Sequence, residues 1–303
     1  MSEARGDRRP APPAIRSPAN PRLRAALRLR DRRARDREGR LLVDGLREVA
    51  RAVDAGARVL EAFVTDPPPG GAEGRALVAA LRAAGAEVIV VSPAIQARLA
   101  YGERTNGVVA VVATPARSLG ALVLPPDPLV AVLEGVEKPG NLGAIVRNAD
   151  GAGLAAVVAT GPGADPWNPN AIRASQGTVF SFAVVAAPTD ETLAWLRGAG
   201  LRIVAARVDG AVPYTAVDLR GPVALVLGAE ATGLTEAWQG PDVVAVRLPM
   251  LGRADSLNVA ATAAVLFYEA LRQREWTDPP LTNDPRRRSW VEASRKDIVP
   301  PAV

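Results

Sequence analysis

Val246 to Ala270 reads V-R-L-P-M-L-G-R-A-D-S-L-N-V-A-A-T-A-A-V-L-F-Y-E-A: an apolar strand end, a Pro/Gly turn and a helix. Asp255 and Ser256 are good N-cap residues, so the helix is expected to begin near Ser256. Leu257, Val259, Val265, Leu266 and Phe267 among many alanines leave it apolar on nearly every side, which suits a core or an interface. Asn258 is then expected one turn past the cap, where a buried amide needs partners. A Gly-containing turn entering a helix also presents backbone N–H groups to a ligand. A well-capped core helix accounts for the same residues, and the stretch alone leaves both readings open.

Composition narrows the chemistry. The 303 residues suggest two domains, or one with appendages, and an apolar fraction of 48% is ample for a core. Net charge is +5 and the isoelectric point about 10.3. Residues 1–40 carry thirteen Arg against five acidic residues, so the basic excess is an N-terminal feature and the remainder is slightly acidic. That suits a polyanionic partner without requiring one. There is no Cys and no His. Disulfides, thiolate metal sites and cysteine nucleophiles are excluded, and the commonest general base and metal ligand are missing. Chemistry must run on carboxylates, Arg, Lys, Ser, Asn and backbone groups. No apolar run reaches the ~20 residues of a membrane span, and the Arg- and Pro-rich start is no secretory signal, so a cytoplasmic protein without membrane or metal is expected.

Residues 1–17 read as a disordered basic tail. From Pro21 to about Arg37 the Arg density continues with helical character, fitting either a solvated basic helix or one facing RNA, where guanidinium forks suit phosphates. Strands are expected at Leu41–Val43, Val59–Thr65, Glu87–Val91 and Gly107–Ala113. They alternate with helices at Gly45–Ala55, Ala72–Ala84 and Pro93–Leu99, a small layered α/β domain over 18–113. The Pro-rich residues 114–127 read as a linker. A second domain follows over 128–273, and 274–303 reads as a disordered tail.

In that second domain the strand Leu129–Leu133 runs into E-G-V-E-K-P-G-N-L-G-A-I-V-R-N-A, residues 134–149. Asn141 is a plausible N-cap. Leu142, Ile145, Val146 and Ala149 fall at i, i+3, i+4 and i+7 and form a buried stripe, with Arg147 pointing away from it. Gly151-Ala152-Gly153-Leu154-Ala155-Ala156 matches a dinucleotide fingerprint in the wrong context, after a helix and before the strand Ala155–Ala159. It reads as a C-cap and turn, which argues against a nucleotide-dependent oxidoreductase. In R-A-S-Q-G, Arg173, Ser175 and Gln176 stand either in an ordinary loop, short helix and strand or, by resemblance to a segment of the family named below, near a substrate. After a helix at Glu191–Gly198 and a strand at Leu201–Ala206, V-A-L-V-L-G-A-E-A-T-G-L (223–234) is a strand entering a glycine loop, where a ligand can approach the backbone closely. Its Glu230 reads as a surface carboxylate, a partner for an Arg or an orderer of the loop.

Three of these strings, in order and at family-like spacing, resemble the signature motifs of the SpoU/TrmH branch of the SPOUT RNA methyltransferases: N-L-G-A-I-V-R, G-A-E-A-T-G-L and L-P-M-L-G-R-A-D-S-L-N-V. Residues 18–113 are similar to the ribosomal-protein-like substrate-binding domain that precedes the catalytic domain in many of these enzymes, with Asp44 where the family usually has Glu. The resemblance implies a parallel α/β sheet with a C-terminal trefoil knot, preceded by a small α/β RNA-binding domain. It further implies a homodimer and methyl transfer from S-adenosylmethionine to a ribose 2′-hydroxyl. Arg147, Asn141, Glu230, Ser256 and Asn258 map to the catalytic positions, with Arg147 either taking the proton or positioning the hydroxyl. Leu227, Gly228, Glu230, Gly233, Leu248, Met250, Ser256 and Leu257 map to the cofactor contacts. The additional N-terminal domain favours ribosomal RNA, 23S in particular. A transfer-RNA 2′-O-methyltransferase, and an inactive RNA-binding assembly or resistance factor, are the alternatives.

Overall fold

The computed structural model describes residues 14–101 and 107–274. The expected tails at 1–13 and 275–303 lie outside the described residues.

Two short helices come first, α1 (Pro21–Arg28) and α2 (Arg32–Glu38), where one basic helix was expected. They are separate because each has its own cap: Asn20 Oδ1 accepts the Arg22 N–H and Asp31 Oδ1 accepts the Ala34 N–H. Next come β1 (Arg40–Asp44), α3 (Leu46–Asp54), β2 (Val59–Val64), α4 (Ala72–Ala83), β3 (Glu87–Val90), α5 (Pro93–Leu99) and β4 (Val109–Ala113). The four strands form one mixed sheet in the order β1-β4-β2-β3. Order begins upstream of residue 18, because Ile15 bridges to Val91 and packs on the apolar cluster under this sheet.

The second half carries β5 (Leu129–Glu134), α6 (Pro139–Gly151), β6 (Ala156–Thr160), α7 (Pro169–Ala174), α8 (Thr178–Ser181), β7 (Val184–Ala186) and α9 (Thr189–Gly198). It continues with β8 (Arg202–Ala206), β9 (Val212–Pro213), β10 (Val223–Gly228), β11 (Val243–Arg247) and α10 (Val259–Gln273). Its seven strands form a parallel sheet in the order β7-β6-β5-β10-β8-β11-β9. Side-chain alternation divides the core: Leu129, Ala131 and Leu133 of β5 face one cluster, Val130 and Val132 the other. The first of these clusters also takes in Leu41, Val43 and Val112 of the mixed sheet, so the two sheets share a core.

Polar contacts reinforce that junction. Arg35, only 2% exposed, is ion-paired with Asp165 and donates to the Leu29 and Arg30 carbonyls. One arginine of the basic N-terminal segment is therefore structural, a role that neither the solvated nor the RNA-facing reading of that segment had given it. Linker residue Arg117 donates to the Val179, Phe180 and Phe182 carbonyls, lying along the second half. The R-A-S-Q-G segment is part of the same junction. Arg173 donates to the Tyr101 carbonyl, Gln176 accepts from Arg51 at 2.7 Å, and Ser175 is buried with its hydroxyl on the Ile172 carbonyl.

Two helix starts differ from expectation. Helix α6 begins at Pro139, two residues before Asn141, because proline already has helical φ and its missing N–H costs nothing at N1. Helix α10 begins at Val259, and its cap is Asn258 rather than Asp255 or Ser256. The Asn258 Oδ1 accepts the Ala260 and Ala261 N–H groups at 2.9 and 3.4 Å. Asn258 is exposed, so its amide is not the buried group expected one turn inside a helix. Gly153, just past the Ala152 cap, does close α6: it has φ +70° and the Leu154 N–H returns to the Ala149 carbonyl, while Gly151 is still the last helical residue.

Candidate functional site

The carboxyl ends of β8, β10 and β11, together with the start of α10, enclose a cleft of ≈ 450 Å³. Open parallel sheets bind ligands outside their carboxyl ends, where neighbouring strands diverge in chain order. Here β10 is inserted between β5 and β8, which were laid down before it. The wall from β10 is a tight loop. A Cβ on Gly228 would lie 2.4 Å from the Gly233 carbonyl carbon, and Gly233 has φ +68°, so both positions need glycine. All eight residues expected to contact a cofactor, Leu227, Gly228, Glu230, Gly233, Leu248, Met250, Ser256 and Leu257, line this cleft. Arg207 and Asp209, which follow β8, also line it and form a bidentate ion pair at 2.9 and 3.0 Å. No motif had singled them out, and a loop arginine two residues before an aspartate has no distinctive sequence signal.

At the cleft's edge the three motif segments meet on Glu230. Its Oε1 accepts the Asn141 Nδ2 at 3.0 Å and the Asn258 Nδ2 at 2.7 Å, and Asn258 also donates to the Asn141 Oδ1 at 3.2 Å. The Glu230 Oε2 takes the Lys138 ammonium. The hydrogen bond and charge of Lys138, with help from Asn141 and the Val259 N–H, hold the Glu230 carboxyl below the usual carboxylate range. Lys138 went unnoticed in the sequence because surface lysines are ordinary. Its signal was rarity, since the chain has only two lysines.

Arg147 lies on the exposed face of α6, and among the described residues no hydrogen bond or ion pair engages its guanidinium. An arginine partner was one of the readings open for Glu230; the basic partner it has is a lysine. Ser256 is exposed on the cleft wall without a side-chain hydrogen bond among the described residues. Helix α6 is positioned by α10, through the Asn148 Nδ2 on the Ala260 carbonyl at 3.2 Å. It also packs closely on α7, where a Cβ on Gly143 would meet the Ala171 carbonyl oxygen at 2.3 Å.

The sequence model of the SpoU rRNA Methylase family matches residues 128–268, and that of the MRM3-like substrate binding domain matches residues 20–110. A 23S rRNA (uridine(2479)-2′-O)-methyltransferase of Streptomyces viridochromogenes is 34% identical over 285 residues, covering 90% of this chain and 97% of that protein. The chain belongs to the SpoU family. Solved methyltransferase structures share its architecture. The SpoU methyltransferase AviRb from Streptomyces viridochromogenes, in complex with the cofactor AdoMet, has a TM-score of 0.79 at 31% identity and covers 86% of this chain and 100% of that one. An RNA 2′-O ribose methyltransferase has a TM-score of 0.75 at 41% identity, covering 87% and 100%.

Proposed function

We propose that this SpoU-family chain transfers a methyl group from S-adenosylmethionine to a ribose 2′-hydroxyl of 23S rRNA, in the cytoplasm. The observation that carries the reading is the meeting of the three motif segments on Glu230, a residue of the cleft wall, through Asn141 and Asn258. The match to a 23S rRNA 2′-O-methyltransferase over nearly its whole length supports the substrate class.

The cleft suits the cofactor. Its volume falls within the range of small-molecule sites, about 300–1,000 Å³. Leu227, Leu248 and Met250 offer apolar surface to a purine, and the carboxylates of Glu230 and Asp255 suit hydroxyl or ammonium groups. When bound, S-adenosylmethionine supplies a methyl group on a sulfonium, a leaving group that needs no metal. The acceptor hydroxyl is a poor nucleophile until its proton is held or removed. We assign that task to Arg147, whose guanidinium has no protein partner among the described residues. Guanidinium normally stays protonated, so holding the hydroxyl and its neighbouring phosphate is as fitting a role as accepting the proton. Asn141, Glu230, Ser256 and Asn258 would orient Arg147, the ribose and the cofactor.

In this reading residues 18–113 bind substrate RNA, 114–127 connect, and 128–273 carry the reaction, with the basic tail at 1–17 and the tail at 274–303 flanking them. The insertion of β10 between β5 and β8 supports a trefoil knot in the carboxyl-terminal part, which would persist as a shortened contour when the chain is stretched from both ends. The exposed apolar side chains of α10 and its preceding loop support a homodimer.

Tritiated methyl transfer to purified 23S, 16S and transfer RNA tests the function, with Arg147→Ala alongside. The expected outcome is incorporation into 23S rRNA at a 2′-oxygen, falling at least about a hundredfold in the variant while cofactor binding persists. Incorporation only into transfer RNA would replace the substrate. Cofactor binding without transfer to any of these RNAs, precursor and particle substrates included, would leave an RNA-binding factor, and absence of cofactor binding would sink the proposal.

A further inference from the structure

We infer that Glu134 is a positioning residue for the cofactor cleft, anchoring the foot of the 229–235 loop and so fixing the wall that this loop forms. The inference rests on the methyltransferase reading of the cleft. Glu134 closes β5, is 3% exposed and does not itself line the cleft. A carboxylate so buried is costly unless its oxygens are satisfied. The Glu134 Oε2 accepts the Thr235 backbone N–H at 2.8 Å, and its Oε1 accepts the Thr235 hydroxyl at 2.9 Å. The Thr189 hydroxyl, 2.9 Å from that of Thr160, adds a longer contact of 3.4 Å to Oε1.

Both bonds to Thr235 hold the residue at which the loop ends. The loop leaves β10 at Gly228, which stands in register with Glu134 on β5. It doubles back through the Gly233 N–H to Ala229 carbonyl bond of 2.9 Å, and every residue from Gly228 to Leu234 borders the cleft. Its tip, Glu230, is held by Lys138 from the segment that Glu134 begins. Residues 134–138 therefore grip the loop at foot and tip. Both contacts are charge-assisted, but the tip contact is exposed whereas the foot contact is buried, where a hydrogen bond counts for more. A glutamine at 134 keeps an acceptor oxygen for the Thr235 N–H and turns an NH₂ group towards the Thr235 and Thr189 hydroxyls, which must then accept instead of donate, so the foot loses the carboxylate charge that strengthens its bonds.

The test uses the full chain with Glu134→Gln and Thr235→Val, the latter keeping the backbone bond and losing only the hydroxyl. S-adenosylmethionine binding is measured by calorimetry, and steady-state methylation gives separate KM values for cofactor and RNA. Wild-type protein that binds no cofactor would refute the methyltransferase reading itself. Given wild-type binding, the expected result for Glu134→Gln is a cofactor Kd and KM raised about tenfold, with the KM for RNA unchanged and kcat at saturating cofactor falling far less. Thr235→Val is expected to shift in the same direction by a smaller factor. A folded Glu134→Gln protein with a lower melting temperature but an unchanged cofactor Kd would overturn the inference, leaving the carboxylate a support of the core alone. Should Glu134→Gln not fold, an unchanged Kd in Thr235→Val would overturn it equally.

Discussion

Glu230 collects Lys138, Asn141 and Asn258 on two carboxylate oxygens, and this makes one side chain the meeting point of three segments of the chain. Its ionisation is a lever on the site. The Lys138 ammonium holds the carboxyl below its ordinary range, so the ion pair is fully formed above the usual carboxylate pKa of about 4.3 and is lost as pH falls through the lower folded value. In Lys138→Gln the carboxyl moves back up towards that ordinary range, and the acid limb of the methylation rate is expected to move to higher pH. Asn141, Asn258 and the Val259 N–H still face Glu230 in the variant and keep part of the depression. Rate profiles at constant ionic strength would show the shift, and an unmoved acid limb would remove Lys138 from the control of this site. The pair is largely exposed, so little change in stability is expected. Asn141, Glu230 and Asn258 were legible as motif members. Lys138 was not, since its role consists wholly of a contact 92 residues away in the chain.

Helix α6 joins the core to the site, since it holds both the buried stripe and Asn141. Its apolar stripe was readable from spacing, and Leu142, Ile145, Val146 and Ala149 are all buried. Its close contact with α7 was not readable, because a glycine in a helix gives no hint of what lies beside it. A Cβ at Gly143 would press on the Ala171 oxygen at 2.3 Å, the Ala174 Cβ at 2.6 Å and the Ser175 nitrogen at 2.8 Å. Gly143→Ala gains about 1 kcal/mol of helix propensity but must push two helices apart, at a cost of about 1–3 kcal/mol. A lower urea midpoint is expected, with weakened methyl transfer because the same helix carries Asn141 and Arg147. A midpoint at or above wild type would mean that α7 yields freely. The start of α10 shows a second limit. Asp, Ser and Asn cap helices about equally well, so local preference cannot choose among Asp255, Ser256 and Asn258. The bonds of Asn258 to Glu230 and Asn141 accompany its selection as the cap.

For the whole molecule, the outward face of α10 bears on assembly. Val265 and Tyr268 are exposed on it, and Leu257 and the 99% exposed Leu251 precede it. Exposed apolar side chains of this kind suit contact with a second copy. In the proposed homodimer this face is covered by that copy, and Val265→Glu is expected to convert the dimer to monomer in sedimentation velocity. A wild-type chain that sediments as a monomer at micromolar concentration would end that proposal. The two-part α/β plan, the strand and helix alternation and the three motifs were all present in the linear chain, because periodicity, turn residues and short motifs are local properties. The order in which seven strands lie side by side, the core shared between the sheets, the buried Arg35 and the grip of residues 134–138 on the 229–235 loop were not. Each depends on which distant segments the packed core brings within hydrogen-bonding distance, and a linear sequence carries no record of that distance.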